Sequence, residues 1–219
     1  MDNITQIIMY LVALVLSITC HEFAHAWAAN ELGDSTAKRL GRLSLNPIVH
    51  FDPLGAAMIV FMSIAGWGIG WGKPVPVNPY NLKGDVRVSM GLTSVIGPFT
   101  NLLLATVFAI PFRLGIAFSL PTPATEFIWI MVTVNVGLML FNLIPLPPLD
   151  GFGVLQGVLA ATRTRWARQA SETLDRVAPY GPIILLAVLA LGWITPFSPL
   201  SWLLGPPLQF LLGLLTGLG

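Results

Sequence analysis

Residues 4–30 read ITQIIMYLVALVLSITCHEFAHAWAAN, and the only formal charge among them is Glu22. An apolar run of this length with a single charge reads as a membrane-spanning helix. On such a helix His21 and His25, four positions apart, share one face a turn from each other. Glu22 lies beside them, about a hundred degrees round the axis from His21. This is the HExxH arrangement, in which two imidazoles hold a zinc ion and a carboxylate takes a proton from its bound water. The competing explanation is two buried histidines bonded to neighbouring helices. It is weakened because ionisable groups inside lipid are costly and ordinarily mark function. The chain has three histidines, and two of them are here.

Composition sets the class. The 219 residues are 55% hydrophobic and 10% charged, whereas an ordinary soluble domain carries about 25% charge. Several uncharged runs exceed the roughly 18 residues that signal a span. With a formal net charge of +1, no electrostatic case for nucleic acid arises. Cys20 is the lone cysteine, which rules out an intramolecular disulfide; core packing is its expected role. No cleavable signal is expected, because the first apolar run lacks a basic leader and carries the motif itself.

After the first helix, residues 31–52 are polar and contain Lys38, Arg39 and Arg42, with Asn46-Pro47 marking a turn. Residues 53–72 carry no charge, and their second half, GWGIGWG, is poor helix that suits a re-entrant segment. The alternating prolines and valines of 73–79, KPVPVNP, read as an extended edge. Spans are expected at 88–112, 127–149 and, shorter, 182–195. A last apolar segment, 200–218, is interrupted by Pro206-Pro207. The arginines of 163–176 mark an amphipathic, interfacial stretch.

The basic residues argue for a topology. If 53–72 dips in and returns, three basic residues in 31–52, three in 73–87 and four in 163–176 face one side, with Arg113 alone opposite. The rich side is then cytoplasmic and the N-terminus external. The expected fold is an all-α polytopic membrane protein with four to six transmembrane helices and a re-entrant or β-hairpin segment after the first. It forms one membrane-embedded domain over 1–219, with a core at 4–160 and accessory helices at 177–219.

A catalytic zinc takes three protein ligands and keeps one open position, so the histidine pair needs a partner. His50, Asp52 and Asp150 are the candidates. Asp150 follows the proline-broken end of a span, NLIPLPPLDG at 142–151, on irregular backbone that protein must shield. The alternative is a helix-end aspartate at the membrane surface. His21 lies about 25 Å along a helix that begins near Ile4, and the re-entrant topology brings Asp150 to comparable depth. An extra crossing would put it across a core of about 30 Å. His50, in a loop beside Asp52, is the fallback ligand and more naturally bonds locally.

Taken together, HEFAHAW at 21–27, GPFTN at 97–101 and NLIP…LDG at 142–151 resemble the site-2 protease family, the intramembrane zinc metalloproteases. The resemblance covers roughly residues 4–176 and looks closest to compact members, since about a dozen residues between the second and third spans leave no room for a PDZ domain. It implies His21, His25 and Asp150 as ligands of one zinc ion per chain, with Glu22 as general base. Asn101 and Asn142 match asparagines near the family's catalytic centre; helix–helix hydrogen bonding is their plainer role. The implied activity is regulated intramembrane proteolysis of single-span membrane proteins in the lipid bilayer of the cell membrane. The active site then lies towards the cytoplasm, and substrate is unwound as a strand beside 73–79. A metal transporter is one rival, opposed by the apolar outer halves of the spans. A catalytically inert helix-binding relative is another, opposed by the intact Glu22. Oligomeric state is not encoded in any feature read here.

Overall fold

The computed structural model describes residues 3–50, 52, 55, 57, 72–195 and 197–218. Its helices are α1 (Asn3–Glu31), the short α2 (Thr36–Arg39), α3 (Val86–Arg113), α4 (Thr122–Asn142), α5 (Asp150–Thr162), α6 (Arg165–Val177), α7 (Gly181–Ile194) and α8 (Pro199–Thr216). No β-strand occurs among the described residues. Among the described residues, five stretches are long and apolar enough to cross a membrane: Ile4–Glu31, Val86–Arg113, Thr122–Asn142, Arg165–Gly192 and Pro199–Thr216.

Side-chain distribution is the reverse of a soluble bundle. Along α1, Ile4, Ile8, Val12 and Leu16 recur every fourth residue and are exposed, whereas Ala13, Ser17, His21, Ala24 and Ala28 are buried. Along α3, Leu92, Phe99, Leu103 and Ile110 face outward while Gly97, Asn101, Ala105 and Ala109 face inward. Large apolar groups lose nothing by facing hydrocarbon, so the interior is left to small residues that let backbones approach and to polar ones that bond across helices.

Two small-residue clusters hold the bundle. Ala13 and Leu14 of α1 pack on Met131 and Val134 of α4. Ala105 and Ala109 of α3 pack on Val132 and Val136, with Leu208, Leu211, Leu212 and Leu215 of α8 over them. Helix α8 runs alongside α3 in the same direction. At their common end Arg113 donates to the carbonyls of Leu214 and, at 3.2 Å, Leu215. A basic side chain there satisfies carbonyls that a helix C-terminus leaves unpaired. The tightest contact is between α3 and α5: a β-carbon on Gly91 would lie 2.8 Å from Cα of Gly157. The two backbones touch.

Several expectations are adjusted. The third span begins at Thr122 and ends at Asn142, because Thr122-Pro123 opens a helix and proline is at home in its first turn. Helix α8 runs unbroken through Pro206 and Pro207; neighbouring helices and local adjustment make prolines tolerable within spans. Residues 73–78 form no ladder among the described residues and are held there mainly by side chains. The expected re-entrant or β-hairpin stretch at 53–72 lies outside the described residues apart from Gly55, Ala57 and Gly72. The segment 177–219 is packed into the bundle through α8, and Pro182, Leu185 and Leu186 of α7 reach the cavity described next.

Candidate metal centre

Three elements bring the candidate ligands together. Helix α1 presents His21 and His25 on one face, their ring centroids 4.6 Å apart. The turn at 143–149 ends α4 and starts α5, so that Asp150 is the first residue of α5. Its carboxylate thereby sits at a helix N-terminus, whose unpaired N–H groups favour negative charge. The Gly91–Gly157 contact then brings α5 against α3, which itself packs on α1. His21 Nε2 lies 3.0 Å from Asp150 Oδ2, and His25 Nε2 lies 3.2 Å from Asp150 Oδ1. The two Nε2 atoms are 3.0 Å apart. Among the described residues, this is the one histidine, cysteine and carboxylate group arranged to hold a metal ion.

The outer contacts of the rings decide what the inner atoms are. His21 Nδ1 donates to Asn101 Oδ1 at 2.6 Å, and His25 Nδ1 donates to the Thr93 carbonyl at 2.7 Å. With Nδ1 protonated on both rings, both Nε2 atoms keep their lone pairs. Two lone pairs and a carboxylate therefore converge, and buried Asp150 Oδ2 has no hydrogen-bond donor. One proton relieves one such contact; a divalent cation relieves all three. Ligand atoms about 2.1 Å from a tetrahedral zinc stand about 3.4 Å apart, close to the spacings observed. The donor set fits the metal.

The two imidazoles are packed closely against α3. A β-carbon on Gly97 would fall 2.6 Å from His25 Cε1 and 2.7 Å from His21 Cε1. Glu22 faces the same cavity, of about 680 Å³, and its Oε2 accepts the Val75 N–H at 3.1 Å. Behind His21, Asn101 Nδ2 donates to Asn135 Oδ1 at 2.9 Å, and Asn135 Nδ2 donates to Ser17 Oγ at 2.8 Å. Ligand orientation by such outer contacts is a general property of metal sites.

The remaining candidates sit as follows. Asn101 is fully buried behind His21, off the cavity. Asn142 lines the cavity and gives one N–H to the Leu138 carbonyl at 3.0 Å. His50 bonds Ser44 O at 2.8 Å, and Asp52 accepts the Gly55 N–H at 2.8 Å, so both are engaged locally. Asn135 was not singled out from the sequence. Its signal was present: it lies seven residues before Asn142, on the same helical face, in an otherwise apolar span.

Next to the site, Asp34 is fully buried at the end of α1. It accepts from the Thr36 N–H (3.0 Å) and hydroxyl (2.5 Å), the Asn78 N–H (2.6 Å) and Asn81 Nδ2 (2.9 Å). Burial works to raise its pKa, but the bonds from Thr36, Asn81 and Asn78 outweigh it and hold the carboxyl below its usual range. The 73–81 segment is thereby tied to α1.

An apolar helical bundle with two imidazoles and two carboxylates facing one cavity defines a class: a membrane-embedded protein built around a divalent-metal donor set. Comparison with known proteins then narrows it. Residues 119–189 match the family described as Peptidase family M50. Over 207 residues the chain is 37% identical to the "Putative zinc metalloprotease YwhC" of Bacillus subtilis, covering 91% of this chain and 85% of that protein. The "Putative zinc metalloprotease Rip2" of Mycolicibacterium smegmatis is 29% identical over 154 residues, 68% of this chain and 56% of that one. Its namesake in Mycobacterium tuberculosis (strain Erdman) is 28% identical over 201 residues, 90% and 73% respectively. No solved structure shows significant similarity. The chain belongs to peptidase family M50.

Proposed function

We propose that this chain is an intramembrane zinc peptidase that cuts the membrane-spanning segments of single-span proteins, as in regulated intramembrane proteolysis. The reading is carried by one observation: His21, His25 and Asp150 converge within 3.0–3.2 Å on a cavity that Glu22 also faces, inside an apolar bundle. It is supported by the family and by the relatives' names. The whole of 1–219 acts as one membrane-embedded unit in the cell membrane, with its N-terminus external and the site towards the cytoplasm.

His21 and His25 through Nε2, and Asp150 through its carboxylate, would hold the zinc ion. When bound, zinc makes water a nucleophile near neutral pH and polarises the scissile carbonyl. Glu22 Oε2 is occupied by the Val75 N–H, which leaves Oε1 to take the proton of the attacking water and pass it to the leaving amine. Asn142, with one N–H committed to its own helix, turns the other towards the cavity, where it can steady a developing oxyanion. Asn101 acts differently: it orients His21 rather than touching substrate.

A helical substrate must unwind before its carbonyls can be attacked, and residues 73–78 are the edge on which it is laid out. Lys73 gives its N–H to His50 O at 2.9 Å, Val75 gives its own to Glu22 and Asn78 to Asp34; Pro74 and Pro76 have none. This edge therefore offers a substrate mainly carbonyls, to which the substrate donates.

The test is to incubate purified protein with single-span substrates, with and without a zinc chelator, and map the cuts. Cleavage within the span that the chelator abolishes is expected. Glu22→Gln should lose cleavage and keep its zinc. Cleavage surviving that substitution removes Glu22 from the base role.

A further inference from the structure

We propose that Arg42 is a positioning residue for the Glu22 carboxylate, acting through a single peptide group, that between Pro74 and Val75. The inference rests on the reading of Glu22 as general base. Arg42 is buried, and its guanidinium donates to three carbonyls: Val49 O, Lys73 O and, at 3.2 Å, Pro74 O. The Pro74 carbonyl and the Val75 N–H belong to one planar peptide unit, in which a trans bond points oxygen and hydrogen opposite ways. Arg42 therefore grips one side of the plane, and Glu22 Oε2 takes the N–H from the other at 3.1 Å.

The guanidinium suits this task. Its donors form a rigid fork, and here they span two chain segments, the turn at Pro47–His50 and residues 73–74. Among the described residues no ladder fixes the peptide planes of 73–78, and their two prolines remove donors that would help. Asp34 holds the far end through Asn78, so the segment is suspended at both ends with Val75 between. No carboxylate pairs with Arg42 among the described residues, and its Nε is buried without a partner. A buried charge satisfied mainly by backbone carbonyls is costly. A plain loop staple has cheaper solutions; a device that fixes and polarises the peptide facing Glu22 needs the cation. With Oε2 held, Oε1 is presented to the water.

The experiment compares Arg42→Ala, Arg42→Lys, Val75→Pro and the double variant Arg42→Ala/Val75→Pro with wild type. Val75→Pro deletes the N–H where flanking prolines already keep the chain extended. The probe is a quenched fluorogenic peptide of apolar, extended sequence, and kcat, KM, zinc per chain and thermal midpoint in detergent are read. Arg42→Ala and Val75→Pro should each lower kcat about 10- to 100-fold, the scale of a misplaced catalytic group. For Arg42→Ala, which does not line the cavity, KM should stay within roughly twofold; Val75 lines it, so for Val75→Pro the readout is kcat, and zinc should be retained in both. Arg42→Lys should recover part of the loss, because an ammonium still donates to one carbonyl. The double variant should be no slower than Val75→Pro alone, since both changes cut one chain of contacts. The assignment is overturned if Arg42→Ala leaves kcat intact, if it loses zinc along with activity, or if the two losses multiply. Glu22→Gln is assayed beside them. Activity there overturns the general-base reading itself, whereas an inactive Glu22→Gln with independent Arg42 and Val75 effects overturns only the role given to Arg42.

Discussion

Gly97 has no side chain because both imidazoles occupy the space one would need. Its β-carbon would lie 2.6 Å and 2.7 Å from the two Cε1 atoms, well inside van der Waals contact. Gly97→Ala should therefore push the rings apart and lower zinc occupancy, with activity falling in step and at least about tenfold, as for disturbed metal-site surroundings. Metal analysis of the purified variant checks this; full zinc with normal cleavage would mean that α3 can yield. At the same scale, the His21, Glu22 and His25 pattern was legible from helical spacing, whereas Asp150 was one of three candidates beside His50 and Asp52, favoured by the topology and by the family resemblance. The tautomer, with Nδ1 protonated and Nε2 free, was not legible. It depends on Asn101 and Thr93, residues 80 and 68 positions away, and only packing brings them there.

At the level of elements, the link between α1 and the 73–81 segment is electrostatic and so depends on pH. Asp34 is held ionised in the fold by its donors, with its pKa lowered. The unfolded chain binds a proton there near the ordinary value of about 3.9. In that window the unfolded state carries more protons, so stability rises with pH and is lost as pH falls through the lowered folded value. Above about pH 5 the contribution is complete. Asp34→Asn should therefore lower the thermal midpoint near neutrality and flatten its decline in acid. A midpoint that falls as steeply as wild type below about pH 5 would assign the acid sensitivity elsewhere. The spans themselves followed from uncharged length, and the amphipathic α6 from its arginines. The boundaries of α4 and the continuity of α8 did not, since prolines that end a helix in water are accommodated among packed spans.

Across the whole molecule, the ends of the helices sort by charge. Arg87, at the start of α3, donates to Asp175 of α6 at 2.7 Å, and Asp34, just past α1, binds Asn78. These basic-rich ends therefore lie together with the site. Arg113 lies at the other end with the C-terminus of α8, and Gln6 of α1 shares a cavity there with Phe112 and Leu218. Cys20 is the only cysteine, so a Cys20→Ser background makes the orientation measurable with an impermeant thiol reagent. A cysteine placed at Thr5 should label from outside intact cells, and one at Glu172 only in inverted vesicles. The reverse pattern would invert the proposed topology.

By itself, the sequence determined that this chain is an integral membrane protein with ionisable residues inside its apolar spans, and it offered the proline-broken turn before Asp150 as one of three candidate sources of a third ligand. Those properties follow from length, charge and helical spacing, which are local. Tertiary structure alone decided that Asn135 supports Asn101 and that Gly91 and Gly157 let α5 approach α3. It also decided that Arg42 and Glu22 meet across one peptide. Each of these depends on backbones from distant parts of the chain coming into contact, and in hydrocarbon such approach is set by small residues and polar pairs whose partners no linear pattern names.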